Sequence, residues 1–303
     1  MPDRNLATGK IDESTVVPLP EGNACVRLCL LDGGSFTGSE SRMYANVEER
    51  SFRLFNWAFL VTHTNAEDGT RHGVLWVYGM SSNRDHYTPW VQKLVGPRVS
   101  ILDQLRRHSI APDDVASVIF SHAHWDHCRP IKYYFPQVTA YFGPGTAETC
   151  SPGHLIPKDS QWDGRFFDSE HATENWQELG GPWVRFGPFE RPWTFSGTAV
   201  SGSSRLRAIC LAICARLQGS IGTNGLLSLA VIAVIRGSSS MASTTSHAGQ
   251  IPTAAKHLSK QIFPARDTIV RIKYMEQKFG AHVAFAHDVS WIAIWSNLRE
   301  KKY

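Results

Sequence analysis

Ahead of residue 200 the apolar positions fall in short, β-rich runs broken by Gly, Pro and Asp, a pattern of strands with brief helical interludes. Cys25 to Leu31 (CVRLCLL) predicts a strand that stops at Gly33-Gly34. Phe55 to His63 and Gly73 to Gly79 predict adjacent strands joined by a polar turn within NAEDGTRHG. Ser100 is placed as an N-cap ahead of Ile101, Leu102 and Leu105, which predicts a short amphipathic helix ending before Pro112. Val115 to Phe120 (VASVIF), apolar but for Ser117, predicts a buried-type strand. Near the C-terminus Asp267-Thr268 opens a helix with Ile269, Ile272, Met275 and Phe279 on its apolar positions, and Gly280 closes it. His282 to Ala286 then predicts a last strand. Residues 1–20, polar and containing prolines, predict a loose N-terminal arm ahead of a single α/β domain over 21–303.

One stretch breaks this order. Residues 201–263 hold six Lys or Arg, eleven serines and no Asp, Glu, Trp or Tyr, and neither a 2-residue nor a 3.6-residue period persists through them. The formal charge of +4 is concentrated there, because the other 240 residues hold 25 basic and 27 acidic side chains. The basic balance is therefore no surface stripe, and a nucleic-acid partner is not expected. With 42% apolar residues in 303 a sizeable core can form. The longest apolar run, Leu226 to Ile235, is too short to span a bilayer, so no membrane association is expected and a cytoplasmic location is. Six irregularly spaced cysteines argue against a disulfide framework, leaving Cys25, Cys29 and Cys150 as ordinary buried or half-buried thiols.

Chemistry becomes legible where the Val115–Phe120 strand runs into Ser121-His122-Ala123-His124-Trp125-Asp126-His127. Three imidazoles and a carboxylate within six residues can turn toward two neighbouring points, His122 with His124 and Asp126 with His127, as nitrogen and oxygen ligands suited to zinc. Such ions polarise a carbonyl and acidify water. HxHxDH after a hydrophobic strand resembles the metallo-β-lactamase superfamily, and Asn56-Trp57-Ala58-Phe59-Leu60, Gly79-Met80 and Ala286-His287-Asp288 resemble its lactonase-like members. The resemblance covers about residues 24–200 and 264–292. It implies an αββα sandwich with two zinc ions at one edge and hydrolysis of a small cyclic ester or amide. It also implies His287 as a ligand of the second site, and Asp126 is the residue expected to orient water or act as general base.

That family pattern requires two further ligands between His127 and His287, a histidine within GH and a bridging aspartate within GD, and neither stands where expected. His154, in Pro152-Gly153-His154, is one substitute; His171, His247 and His257 are weaker ones. Back-translation offers another account. Arg207 to Ile213 can be written CGG GCC ATC TGC CTG GCA ATC, and starting on the last base of each codon gives GHLPGN. Ala230 to Ile235 can be written GCG GTG ATT GCT GTC ATT, and the same offset gives GDCCH. Two missing motifs in order and in one frame, inside a segment without acids, lead us to expect that residues 202–262 are translated out of frame and pack poorly. Val77 also stands where relatives place the Asp of a DxG motif, one base change away.

The expected function is a zinc hydrolase opening a lactone or lactam ring, with detoxification of a xenobiotic as a plausible role, impaired as written. A non-catalytic degenerate protein and a thioester hydrolase of glyoxalase II type are the alternatives. From Trp162 to Phe195 nine Trp or Phe residues are interleaved with prolines, read either as an aromatic loop over the metal cleft or as core.

Overall fold

The computed structural model describes residues 11–18, 27–39, 48–64, 69–91, 96–180, 185–189, 193–194, 209–211, 232–234, 259–284 and 287. A mixed six-stranded sheet runs in the order β1 (Arg27–Ser39), β2 (Ser51–Thr64), β3 (Arg71–Trp76), β4 (Val115–Ile119), β5 (Thr139–Phe142), β6 (Trp176–Glu178). The first three strands pair antiparallel and the last three add in parallel, so the sheet combines a meander with crossover connections. Helix α1 (Ile101–Arg107) packs against β1, while α2 (Thr146–Cys150) and α3 (Gly164–Phe167) lie in the β5–β6 connection. A second, antiparallel sheet is ordered β10 (His282–Ala284), β9 (Ile232–Val234), β8 (Ile209–Leu211), β7 (Trp193–Thr194), with α4 (Ser259–Phe279) leading into β10. Two sheets with helices are consistent with the α/β sandwich of metallo-β-lactamase type that the sequence led us to expect.

The main core lies on one face of the six-stranded sheet, where Leu31, Leu60, Leu75, Val118, Phe120 and Phe142 are buried with Leu105 of α1 and Phe166 of α3. Ser100 caps α1 as expected, its Oγ accepting from the Asp103 amide at 3.1 Å. The aromatic stretch divides in two. Phe166, Phe167 and Trp176 pack against Phe142 as core, and Trp162 alone among the described members reaches the histidine motif. The buried thiols of Cys29 and Cys150 are unpaired, and burial pushes Cys150 up to about 12; Cys25 lies outside the described residues.

Several boundaries differ from the sequence reading. β1 does not stop at Gly33-Gly34 but continues to Ser39 through an irregularity between Asp32 and Ser35. A Cβ on Gly79 would stand 2.5 Å from the Gly33 carbonyl oxygen, so backbone meets backbone there, and the Met80 amide donates to that oxygen at 2.7 Å. β3 ends at Trp76, because Val77 adopts φ 58° and turns the chain. α4 begins at Ser259 rather than Asp267, with Pro264 in its first turns, and it ends at Gly280, φ 63°, as expected. The N-terminal arm is anchored over part of its length: Val17 donates to the Gly187 carbonyl at 3.0 Å, and Glu13 pairs with Lys278 at 3.2 Å. Within 202–262 the described residues are β8, β9 and the start of α4; the rest of that segment, and with it the expectation of poor packing, lies outside the described residues.

Candidate metal centre

β4 delivers the histidine motif to the sheet edge. Phe120 is fully buried and its amide bonds to the Tyr141 carbonyl of β5 at 2.8 Å, after which the chain leaves the ladder and turns. The amides of His127 and Cys128 both donate to the His124 carbonyl, at 2.9 and 2.8 Å, closing a tight turn that draws the four side chains into one group. Ring centres of His122 and His124 are 4.6 Å apart, and those of His122 and His127 are 4.4 Å apart.

His287 joins them from the other sheet, just beyond β10. Its ring centre is 5.1 Å from that of His127, and its Nε2 is 3.7 Å from Asp126 Oδ2. Its Nδ1 lies 3.1 Å from the Phe55 carbonyl of β2. A proton on Nδ1 donated to that carbonyl leaves the Nε2 lone pair facing Asp126, the arrangement in which outer hydrogen bonds fix the tautomer of a metal-binding histidine. Asp126, His127 and His287 thus offer ligand atoms that all lie within 4.8 Å of one another. This is the one such group among the described residues.

The polar atoms here support metal binding. Nδ1 of His124 and both ring nitrogens of His127 are buried without a hydrogen-bond partner, although His127 Nε2 is 3.1 Å from Asp126 Oδ2, off the alignment a hydrogen bond needs. Unpartnered buried nitrogens are unfavourable unless something takes their lone pairs, and a borderline cation such as zinc matches this donor set. Burial holds the imidazoles of His122 and His124 below their ordinary values and brings His287 down to about 4, so these rings are neutral, the form that binds metal. Burial alone would raise the Asp126 carboxyl, but the imidazoles gathered around it, His127 first and then His287 and His122, draw it well below the usual carboxylate range.

Two supporting side chains lie outside the HxHxDH motif. Asn56 of β2 is fully buried and donates from Nδ2 to the Asp126 carbonyl at 2.7 Å, tying the metal loop to the neighbouring strand. Trp162 stacks on His124 with ring centres 5.4 Å apart and planes within 3°. His154 serves that same loop. Its Nδ1 accepts from the Gly164 amide at 3.0 Å and its backbone amide donates to the Trp162 carbonyl at 2.9 Å, so it holds the Trp162 loop and is not in the three-residue ligand group. His171 is exposed and likewise outside the group. His247, His257 and Asp288 lie outside the described residues.

No protein-family model matches the chain, and neither does any curated protein. Among solved structures it is similar to a quorum-quenching N-acyl homoserine lactone lactonase, at 18% identity over 53% of this chain and 59% of that one, with a TM-score of 0.36. A variant of B. thuringiensis AiiA with N-decanoyl-L-homoserine bound at the active site gives 19% identity, 51% and 59% coverage and a TM-score of 0.36. AidC, a dizinc quorum-quenching lactonase, gives 13%, 55% and 60%, with a TM-score of 0.33. In each case less than two thirds of the matched chain is spanned. Scores of this size leave the assignment resting on the histidine motif and its place at the end of β4. The motif and its setting resemble those of the metallo-β-lactamase superfamily. Among the described residues no helix is long and apolar enough to cross a membrane.

Proposed function

We propose that the chain derives from a zinc hydrolase that opens a small cyclic ester or amide, and that its own metal centre is incomplete. The observation that carries this reading is the convergence of Asp126 and His127 from β4 with His287 from the opposite sheet, beside His122 and His124. His122 and His124 would hold one ion; Asp126, His127 and His287 would hold the other. Zinc in such a site supplies Lewis acidity toward a carbonyl group and toward water. Asp126, kept ionised, suits the role of ligand and of hydrogen-bond acceptor that orients water, and its low affinity for protons makes it a weak general base. Trp162 and Asn56 fix the orientation of His124 and of the Asp126 backbone.

The incomplete state is argued from donors. Among the described residues, a pair of imidazoles on one ion without a third histidine, and no bridging carboxylate beside Asp126, leave coordination open, which weakens zinc retention. The backbone at Val77 supports loss of an ancestral side chain, because φ 58° is tolerated by Asp or Asn and disfavoured for a β-branched residue. Out-of-frame translation of 202–262 would remove both absent ligands at once. Sequencing the gene tests this directly: compensating indels near codons 202 and 262, with GHLPGN and GDCCH between them, are expected. The frame-restored chain, assayed on lactones, lactams, thioesters and RNA, should open cyclic esters or amides; turnover of thioesters alone would favour the glyoxalase II-type alternative. If the nucleotides over Arg207 to Ile213 read as these motifs in neither other frame, the hidden-ligand account is wrong.

A further inference from the structure

Outside the imidazole group, two deeply buried polar groups without partners lie together. Arg129 is 5% exposed, and its guanidinium carbon sits 3.8 Å from the centre of the Tyr78 ring. Arg129 Nε is buried with no hydrogen-bond partner, and so is the hydroxyl of Tyr78, a residue with no exposed surface. The acids around them are committed elsewhere. Glu174, whose charge reaches Tyr78, accepts the amides of Ile131 and Lys132 at 2.9 and 2.8 Å. Asp163 is engaged by Arg165 at 2.7 Å, and Asp126 faces His127 and His287. Aromatic rings stand beside them: Tyr134 meets Tyr78 edge-on at 6.5 Å and His86 edge-on at 5.9 Å.

A buried guanidinium with its Nε unpartnered is unfavourable, and contact with a phenol face offsets only part of that penalty. An apolar residue of the same volume would serve packing better. We propose that Arg129 and Tyr78 form a seat for the carboxylate of a small-molecule ligand. The guanidinium fork matches a planar carboxylate in two parallel hydrogen bonds, and the Tyr78 hydroxyl adds a donor beside it. One fixed positive charge balances one negative charge, so a monoanion fits better than a phosphate dianion. The seat shares its backbone with the metal loop, since Arg129 follows His127 by two residues and the Tyr78 amide faces the His127 carbonyl at 3.4 Å. It rests on Arg129 and Tyr78 themselves and stands whether or not zinc is bound.

The test is thermal unfolding of the chelator-treated chain against sodium acetate, with acetamide as the neutral isostere and ionic strength held constant. Acetate should raise Tm saturably and acetamide should not. The apparent affinity should fall at least tenfold in Arg129→Met and several-fold in Tyr78→Phe. Arg129→Met without acetate should be as stable as the parent or more so, since it removes a buried guanidinium with its Nε unpartnered. No saturable rise in the parent, or the same rise in parent and Tyr78→Phe, would overturn the proposal; the second comparison remains decisive if Arg129→Met does not fold. A saturable rise at lower concentrations of inorganic phosphate than of acetate would overturn the carboxylate assignment.

Discussion

Val77 makes a stability prediction that reverses the usual order of two small residues. It is 1% exposed, packs with Leu30, Trp57, Trp76 and Ile119, and holds φ 58°, where a Cβ is crowded. Val77→Ala removes two buried methyl groups, about 1.5 kcal/mol at roughly 0.8 kcal/mol per group, and keeps the Cβ in the left-handed region. Val77→Gly removes one carbon more, a further loss of about 0.8 kcal/mol, but relieves left-handed strain of about 1–2 kcal/mol. In ordinary backbone Gly is the less stable choice by roughly 0.5–1 kcal/mol. At this position the strain term matches or exceeds the loss, so Val77→Gly should equal or exceed Val77→Ala by up to about 1 kcal/mol. Urea unfolding of the two variants, with equal m-values, measures the difference. If Val77→Gly proves less stable than Val77→Ala by the ordinary margin, the strain at 77 and the case for an ancestral Asp there both fall.

Other consequences follow from single contacts. Trp162→Leu should loosen the His124 ring and weaken zinc affinity by roughly 10 to 100-fold with little change in Tm; unchanged affinity in a metal-buffer titration would show that the stacked pair is packing alone. Asp32 is buried and accepts from the Gly34 amide and from the Arg98 amide and Nε, so Asp32→Ala should cost about 3 kcal/mol in chemical unfolding; a loss near zero would mean that water replaces it there. Burial, with the charges of Arg129 and Arg165, holds the His86 imidazole below its ordinary value. Its contribution to stability is therefore present above the unfolded value of about 6.5 and is lost as pH falls through the folded one. His86→Asn should flatten the decline of Tm below that pH, and an unchanged slope would contradict the assignment.

The motif was readable because its residues are local: a buried strand followed by HxHxDH needs no topology to be seen. The Val115 strand, the Ser100 cap and the Gly280 stop were legible for the same reason, each resting on a few neighbouring side chains. What failed was long-range or hidden in the backbone. Valine at 77 prolongs an apolar run, so the pattern extends β3 while the dihedral ends it. Gly33-Gly34 signals a break, but the ladder resumes beyond the irregularity because β2 continues opposite it. Asn56 gave only part of a family resemblance, and its bond to the Asp126 carbonyl depends on β2 lying beside the metal loop. Trp162 was one of nine aromatics, and nothing in its spacing separated it from Phe166 or Phe167, which are core.

Zinc content tests the incomplete metal centre most directly. The chain as written, dialysed against metal-free buffer and analysed by elemental mass spectrometry, should retain one zinc ion or none, because Asp126, His127 and His287 form the one three-ligand group among the described residues. The frame-restored chain should retain two. Two tightly held zinc ions in the chain as written would contradict the incomplete centre and show that some other side chain completes it.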